Sequence, residues 1–240
     1  MTRVANLGMP LTERTSEPSA ERNMALAPET TDKQMMARCI ALSHTAVRKG
    51  EYPFATVIAR DGEVIAEAIN RRFRENDVSR HAEILALSLA QKALSRNQLR
   101  RYTLYSNVEP CAMCAYCIRE AWIGRVVFAL ASPIMGGMSK WDILRDDGMS
   151  GRMPQVFGPV PQIVSGVLAP EAEMAWLNWN PLAWYLIKRR GLLQGVGGAG
   201  DALAHKGHDH SLWHHLQMAL ERIGRSQTVV STLNVSTEDL

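Results

Sequence analysis

At 240 residues and 26.7 kDa the chain has room for one sizeable core with appendages, or for two small domains. Hydrophobic residues at 46% and charged residues at 21% exclude a wholly disordered, collagen-like or fibrous protein, and a net charge of +3 is too small a surplus to demand a polyanionic partner. No apolar run approaches the roughly 20 residues of a membrane helix and no secretory h-region opens the chain, so a cytoplasmic protein with no membrane partner is expected.

Residues 1–30, rich in Ser, Thr, Glu and Pro without apolar periodicity, predict a mobile N-terminal arm, and the folded unit is expected over residues 31–190. A first helix should begin after Thr31, which fits a capping box with Gln34, and run through Met35, Cys39, Leu42 and Ala46 to a stop at Gly50. Phe54 to Ala59 and Glu63 to Ile69 flank Asp61-Gly62, a dipeptide suited to a type I′ turn, and predict an antiparallel hairpin. After an arginine-rich loop from Asn70 to Arg80, a second helix is expected from His81 to Leu94, and a strand from Tyr102 to Ser106. Pro110 should open a third helix reaching Trp122, Gly124 should end it, and Arg125 to Leu130 reads as a buried strand. Residues 132–161 predict a long loop, of a length that is often functional, with one short helix at Trp141 to Arg145. A last strand is expected at Gln162 to Leu168 and a last helix at Pro170 to Arg190, kinked near Asn178, Asn180 and Pro181. Residues 191–240 read as a linker, an incidental cluster of histidines (His205, His208, His210, His214, His215) and an amphipathic stretch suited to a short docking helix (Leu212, Trp213, Leu216, Leu220, Ile223). This order implies a mixed sheet covered by helices.

Three of the 4 cysteines (Cys111, Cys114, Cys117) crowd into one stretch, which favours a metal or catalytic role over a disulfide framework. His81-Ala82-Glu83 and Pro110-Cys111-Ala112-Met113-Cys114 each begin a predicted helix. A helix N-terminus carries partial positive charge and unpaired N–H groups, so it stabilises thiolate, the form that binds zinc. Cys111 and Cys114 lie on neighbouring positions of one turn and can grip one ion, with His81 as third ligand. Two sulfurs and one nitrogen leave the fourth tetrahedral position for water, the arrangement of a catalytic zinc. Glu83, about 200° around the helix from His81, need not compete for the metal and can carry protons between water and a leaving amine. His-x-Glu with Pro-Cys-x-x-Cys is the signature of zinc deaminases that attack C4 of cytosine or C6 of adenine. Other readings stay open: Cys-x-x-Cys alone also serves redox chemistry or packing, and Cys117 suits a fourth structural ligand, an iron–sulfur run or a small buried helix position.

With these motifs the chain resembles the cytidine deaminase-like zinc superfamily, in the branch of guanine, nucleoside and bacterial tRNA adenosine deaminases. The resemblance spans about Thr31 to Arg190. It includes Tyr52-Pro-Phe-Ala-Thr-Val-Ile with Asp61-Gly62, Asn70 after the hairpin, Ile123-Gly124-Arg125-Val126-Val127-Phe128, and Gly136-Gly137 through Leu144. It implies an α/β fold of three layers, α/β/α, with a mixed five-stranded sheet, and a homodimer. It also implies one Zn2+ per chain on His81, Cys111 and Cys114, Glu83 as catalytic proton shuttle, and Asn70, Phe54 and the backbone at Ala82 and Val108 around the substrate. Ala55-Thr56 stands where the family usually has Gly-Ala, and Arg80 where it more often has a small residue. In the long loop, Asp142 and Trp141 are further candidates to line the pocket. Arg71, Arg72, Arg74 and Arg80 offer phosphate contacts, with solvated loop charge as the plainer reading.

The expected activity is hydrolytic removal of an exocyclic amino group from a small nucleobase, nucleoside or related nitrogen heterocycle, purine-like, with release of ammonia. The alternative is a tRNA adenosine deaminase, which must flip its target base into the same pocket and is less favoured by the modest charge. A non-catalytic, zinc-stabilised interaction module is a third reading, and such a module has no need of Glu83.

Overall fold

The computed structural model describes residues 28–195. The N-terminal arm up to residue 27, the histidine cluster and the amphipathic stretch of the tail lie outside the described residues. The elements in chain order are α1 (Pro28–Arg48), β1 (Ala55–Arg60), β2 (Glu63–Ile69), α2 (Arg72–Glu75), α3 (Ala82–Leu94), β3 (Thr103–Val108), α4 (Ala112–Glu120), β4 (Arg125–Leu130), α5 (Asp147–Arg152), β5 (Gln162–Ser165), α6 (Ala169–Trp179) and α7 (Pro181–Arg189). The strands form one mixed sheet in the order β2-β1-β3-β4-β5. β1 pairs antiparallel with both β2 and β3, while β3, β4 and β5 run parallel.

Period-2 alternation sorts the strand residues onto two cores. Val57 and Ala59 of β1 and Val127 and Ala129 of β4 join α1 and α6 on one face. Ile58 of β1 and Val126 and Phe128 of β4 join α3 and α4 on the other. The result is the expected three-layer α/β/α arrangement. The hairpin turns through Asp61 (φ 51°) and Gly62 (φ 81°), both positive as a type I′ turn requires. Among the described residues no helix is long and apolar enough to cross a membrane.

Several local expectations are corrected. Helix α1 starts at Pro28 and not after Thr31, since proline suits a first helical turn. Asp32 then lies inside the helix and accepts two 2.6 Å hydrogen bonds from the Arg125 guanidinium and one of 3.0 Å from the Tyr105 hydroxyl, tying α1 to β3 and β4. Helix α4 starts immediately after its extended N-cap, Cys111, so Pro110 stands outside it. The short helix of the long loop is not at Trp141 to Arg145, where Asp142 adopts a left-handed conformation (φ 57°). It is α5, which the Asp146 carboxylate caps by accepting from the Met149 N–H. The kink near Pro181 is a full break: the Asn180 side chain accepts from the Ala183 N–H and starts α7 afresh.

Candidate active site and metal centre

β2 and β3 flank the antiparallel β1, so they run the same way, and the segments that leave them emerge at one end of the sheet. The segment after β2 leads to α3, whose N-cap is His81, and the segment after β3 leads directly to α4, whose N-cap is Cys111. Both N-caps have extended backbone (ψ 148° and 173°). Topology thus converges two stretches 30 residues apart.

His81 Nδ1 lies 3.6 Å from Cys111 Sγ and 3.5 Å from Cys114 Sγ, and the two sulfurs are 3.6 Å apart. A tetrahedral zinc with bonds of about 2.3 Å to sulfur and about 2.0 Å to nitrogen places S···S at about 3.8 Å and S···N at about 3.5 Å. The three side chains therefore fit the ion without rearrangement, and among the described residues these are the three whose donor atoms cluster. Cys117 is not in that group. It packs, half-buried, against the apolar cluster beneath α3 and α4. Cys39 is buried and donates to the Ala55 carbonyl at 3.0 Å.

The donors are electrostatically prepared for a cation. The hydrogen bond with Cys114, then that with His81, brings the Cys111 thiol down to about 4, whereas the same shared hydrogen bond and burial push Cys114 well up. His81 is raised by its bond to Cys111. Glu83, in the first turn of α3, is buried, and its carboxyl is pushed up to about 7, first by burial and then by the charge of Cys111. It stands two residues after His81, in the helical turn that follows that N-cap.

Ala82 and Val108, expected at the substrate, are both buried, at the start of α3 and the end of β3. Phe54 is half-buried and stacks edge-on against Trp176 with ring centroids 5.0 Å apart. Asn70 is buried immediately after β2, and its side chain donates to Glu51. Asp142, expected to line the pocket, has a side chain that is 63% exposed and paired with Arg145 at 2.8 Å, and Trp141 is 57% exposed. Of the loop arginines, Arg71 pairs with Glu75, and Arg80 with Glu75 and Asp77.

Three residues outside the sequence expectations organise this end of the sheet. Glu109, next to Pro110-Cys111, is buried and accepts from the Ser132, Met138 and Ser139 N–H groups at 2.7, 3.0 and 2.7 Å and from the Ser139 hydroxyl at 2.6 Å. Gly136 touches this carboxylate so closely that a Cβ would overlap it. Arg119 on α4, 1% exposed, donates to the carbonyls of Ile143, Asp146 and Gly158 and to the Ser150 hydroxyl, fastening the long loop to the cysteine helix. Glu51, 1% exposed, accepts from Asn70 and from two backbone N–H groups of α2.

The model of the cytidine and deoxycytidylate deaminase zinc-binding region matches residues 29–130. The tRNA-specific adenosine deaminase of Bacillus subtilis is 35% identical over 144 residues, which are 59% of this chain and 84% of that protein. Its counterpart in Haemophilus influenzae is 32% identical over 161 residues, 66% of this chain and 85% of that protein. Among solved structures, one of tRNA:A34 deaminases, which perform A-to-I editing at the wobble position of transfer RNA, matches with a TM-score of 0.52 at 30% identity, over 59% of this chain and 98% of that one. The guanine deaminase of Nitrosomonas europaea matches with a TM-score of 0.51 at 25% identity, over 75% and 98%. The fold, a residue cluster that could hold zinc and these relatives agree: the chain belongs to the cytidine and deoxycytidylate deaminase zinc-binding family, hydrolases acting on C–N bonds.

Proposed function

We propose that this protein removes an exocyclic amino group from a purine-like free base or nucleoside, releasing ammonia, with His81, Cys111 and Cys114 as metal ligands and Glu83 as proton shuttle. The observation that carries the reading is the 3.5–3.6 Å triangle of His81, Cys111 and Cys114, with the buried Glu83 carboxyl in the first turn of the helix that His81 caps. When bound, zinc supplies a Lewis acid that brings the pKa of water to about 7. Glu83, near neutrality itself, is suited to both halves of the proton traffic: it accepts a proton from water and returns it to the departing amine. Water oxygen bonds to the ring carbon, the C–N bond breaks, and no external oxidant or reductant is needed. Asn70 reads a polar edge of the ring, and Phe54 and the backbone at Ala82 and Val108 shape the pocket. The internal pairing of Arg71 and Arg80 supports a small substrate, because cations already matched by carboxylates have less to offer a phosphate backbone.

A second reading, adenosine deamination in tRNA, is favoured by the sequence relatives at 32–35% identity. The two separate in one experiment. Ammonia release is assayed with guanine, adenine, their nucleosides, pterins and triazines, and inosine formation is assayed with tRNA across a salt series. Turnover of a small heterocycle without tRNA activity supports the first reading. Inosine formation that falls steeply with salt, with no small-molecule turnover, supports the second. Release of ammonia from neither class would refute both.

A further inference from the structure

Asn70 and Glu51 form a buried pair whose polarity is set by the backbone around it. Glu51 Oε1 accepts from the Arg74 N–H at 2.8 Å, and Oε2 accepts from the Phe73 N–H at 3.3 Å and from Asn70 Nδ2 at 2.8 Å. A backbone N–H can only donate, so the group facing Phe73 and Arg74 must be an acceptor, and a carboxylate is acceptor-only. The face that Asn70 turns to Glu51 must then be its NH2. An amide whose two ends are alike in shape thereby loses its freedom to flip. Among the described residues, the Asn70 side chain makes no hydrogen bond besides this one, although the residue is only 3% exposed. Its backbone is fixed as well, since the Asn70 N–H donates to the Phe54 carbonyl at 3.0 Å.

We propose that Glu51 is a positioning residue for substrate: it locks the Asn70 amide with NH2 held inward and Oδ1 presented to the ring, so that the site selects heterocycles carrying an N–H donor on the edge that meets Asn70. This rests on the reading of Asn70 as a substrate contact. A free purine base, with its imidazole N–H, meets the requirement on an edge where a nucleoside carries its sugar. Loss of Glu51 frees the amide to rotate, and the site then loses its preference along with its affinity.

The test is a reciprocal exchange, with equilibrium binding as readout and two probes: 8-azaguanine and a tRNA anticodon stem-loop carrying adenosine at the wobble position. The variants are Asn70→Ala, Glu51→Gln, Asn70→Asp and the double variant Glu51→Gln/Asn70→Asp, each checked for zinc content and thermal midpoint. Glu51→Gln sets an amide NH2 against at least one N–H donor, and Asn70→Asp sets two carboxylates face to face. Each single change should weaken 8-azaguanine binding about tenfold or more. In the double variant the amide introduced at position 51 can donate to the carboxylate introduced at position 70, while its NH2 still faces the Phe73 N–H, so binding should recover in part, to above that of either single variant. A purely structural role for Glu51 would give the double variant the summed loss of the singles, and that result, or an unchanged Glu51→Gln, overturns the proposal. An Asn70→Ala variant that binds both probes as the parent does would instead refute the role of Asn70 itself. A parent protein that binds neither probe would sink the substrate reading, and this inference would fall with it.

Discussion

Glu109 makes the prediction in which structure and magnitude are most closely linked. Its carboxylate is the hydrogen-bond partner of the Ser132, Met138 and Ser139 N–H groups, and it sits one residue before Pro110 and two before the ligand Cys111. In Glu109→Ala, Ser139 is exposed enough to turn to water, but Ser132 is buried and Met138 half-buried. A buried donor left unpaired costs about 1–3 kcal/mol, and the lost charge-assisted bonds add a comparable amount. The total is roughly 2–4 kcal/mol, reduced by the relief of the tight Gly136 contact. For a folded unit of this size about 1 kcal/mol moves the midpoint by about 2–4 °C, so the zinc-loaded variant should melt roughly 5–15 °C below the parent. Differential scanning calorimetry measures the shift. Glu120→Ala, an exposed change at the end of α4, is the control and should stay within about 0.5 kcal/mol of the parent. A Glu109→Ala midpoint no lower than that of the control would refute the claim that this carboxylate clamps the loop to the metal end of the sheet.

Glu83→Gln should keep a full equivalent of zinc by elemental analysis while ammonia release falls about 10²–10⁴-fold, the span of general acid–base catalysis. Cys111→Ser should lose zinc on dialysis at pH 7 under conditions in which the parent retains it, since a serine hydroxyl is a far poorer ligand than a thiolate. In protein stripped of metal, the Cys111 thiol at about 4 is already ionised at pH 6, so its alkylation by iodoacetamide should be nearly flat between pH 6 and 8. Cys39, raised by burial, should stay unmodified, and added zinc should protect Cys111, all readable by peptide mass spectrometry. Gly137→Ala should weaken zinc retention and lower the melting midpoint, because its Cβ would lie 2.2 Å from that of Ala115 on the cysteine helix.

The chemistry of this protein is written in short, local motifs, which is why it is legible in the residue string alone. His81-Ala82-Glu83 and Pro110 to Cys114 advertise ligand types, and helix starts that carry them are recognisable from proline and periodicity. Asp61-Gly62 likewise declares a turn whose backbone angles few other residue pairs tolerate. Glu51, Glu109 and Arg119 are hidden for the opposite reason. A charged residue reads locally as surface, and only partners 19 to 39 residues away convert each into a buried fastener. A weak signal does exist for Glu109, a carboxylate at the end of an otherwise uncharged strand just before the ligand segment. The misplaced helix of the long loop has a similar cause. Two aspartates, Asp142 and Asp146, compete to start it, and the one that reaches a free N–H at the right spacing prevails.

The most direct measurement is zinc K-edge X-ray absorption on the metal-loaded protein and on its Cys117→Ser variant. Two sulfurs at about 2.3 Å, one imidazole nitrogen at about 2.0 Å and one further light atom are expected, identical in both proteins. A third sulfur that disappears with Cys117 would make the site a closed structural one and contradict a metal centre built for hydrolysis.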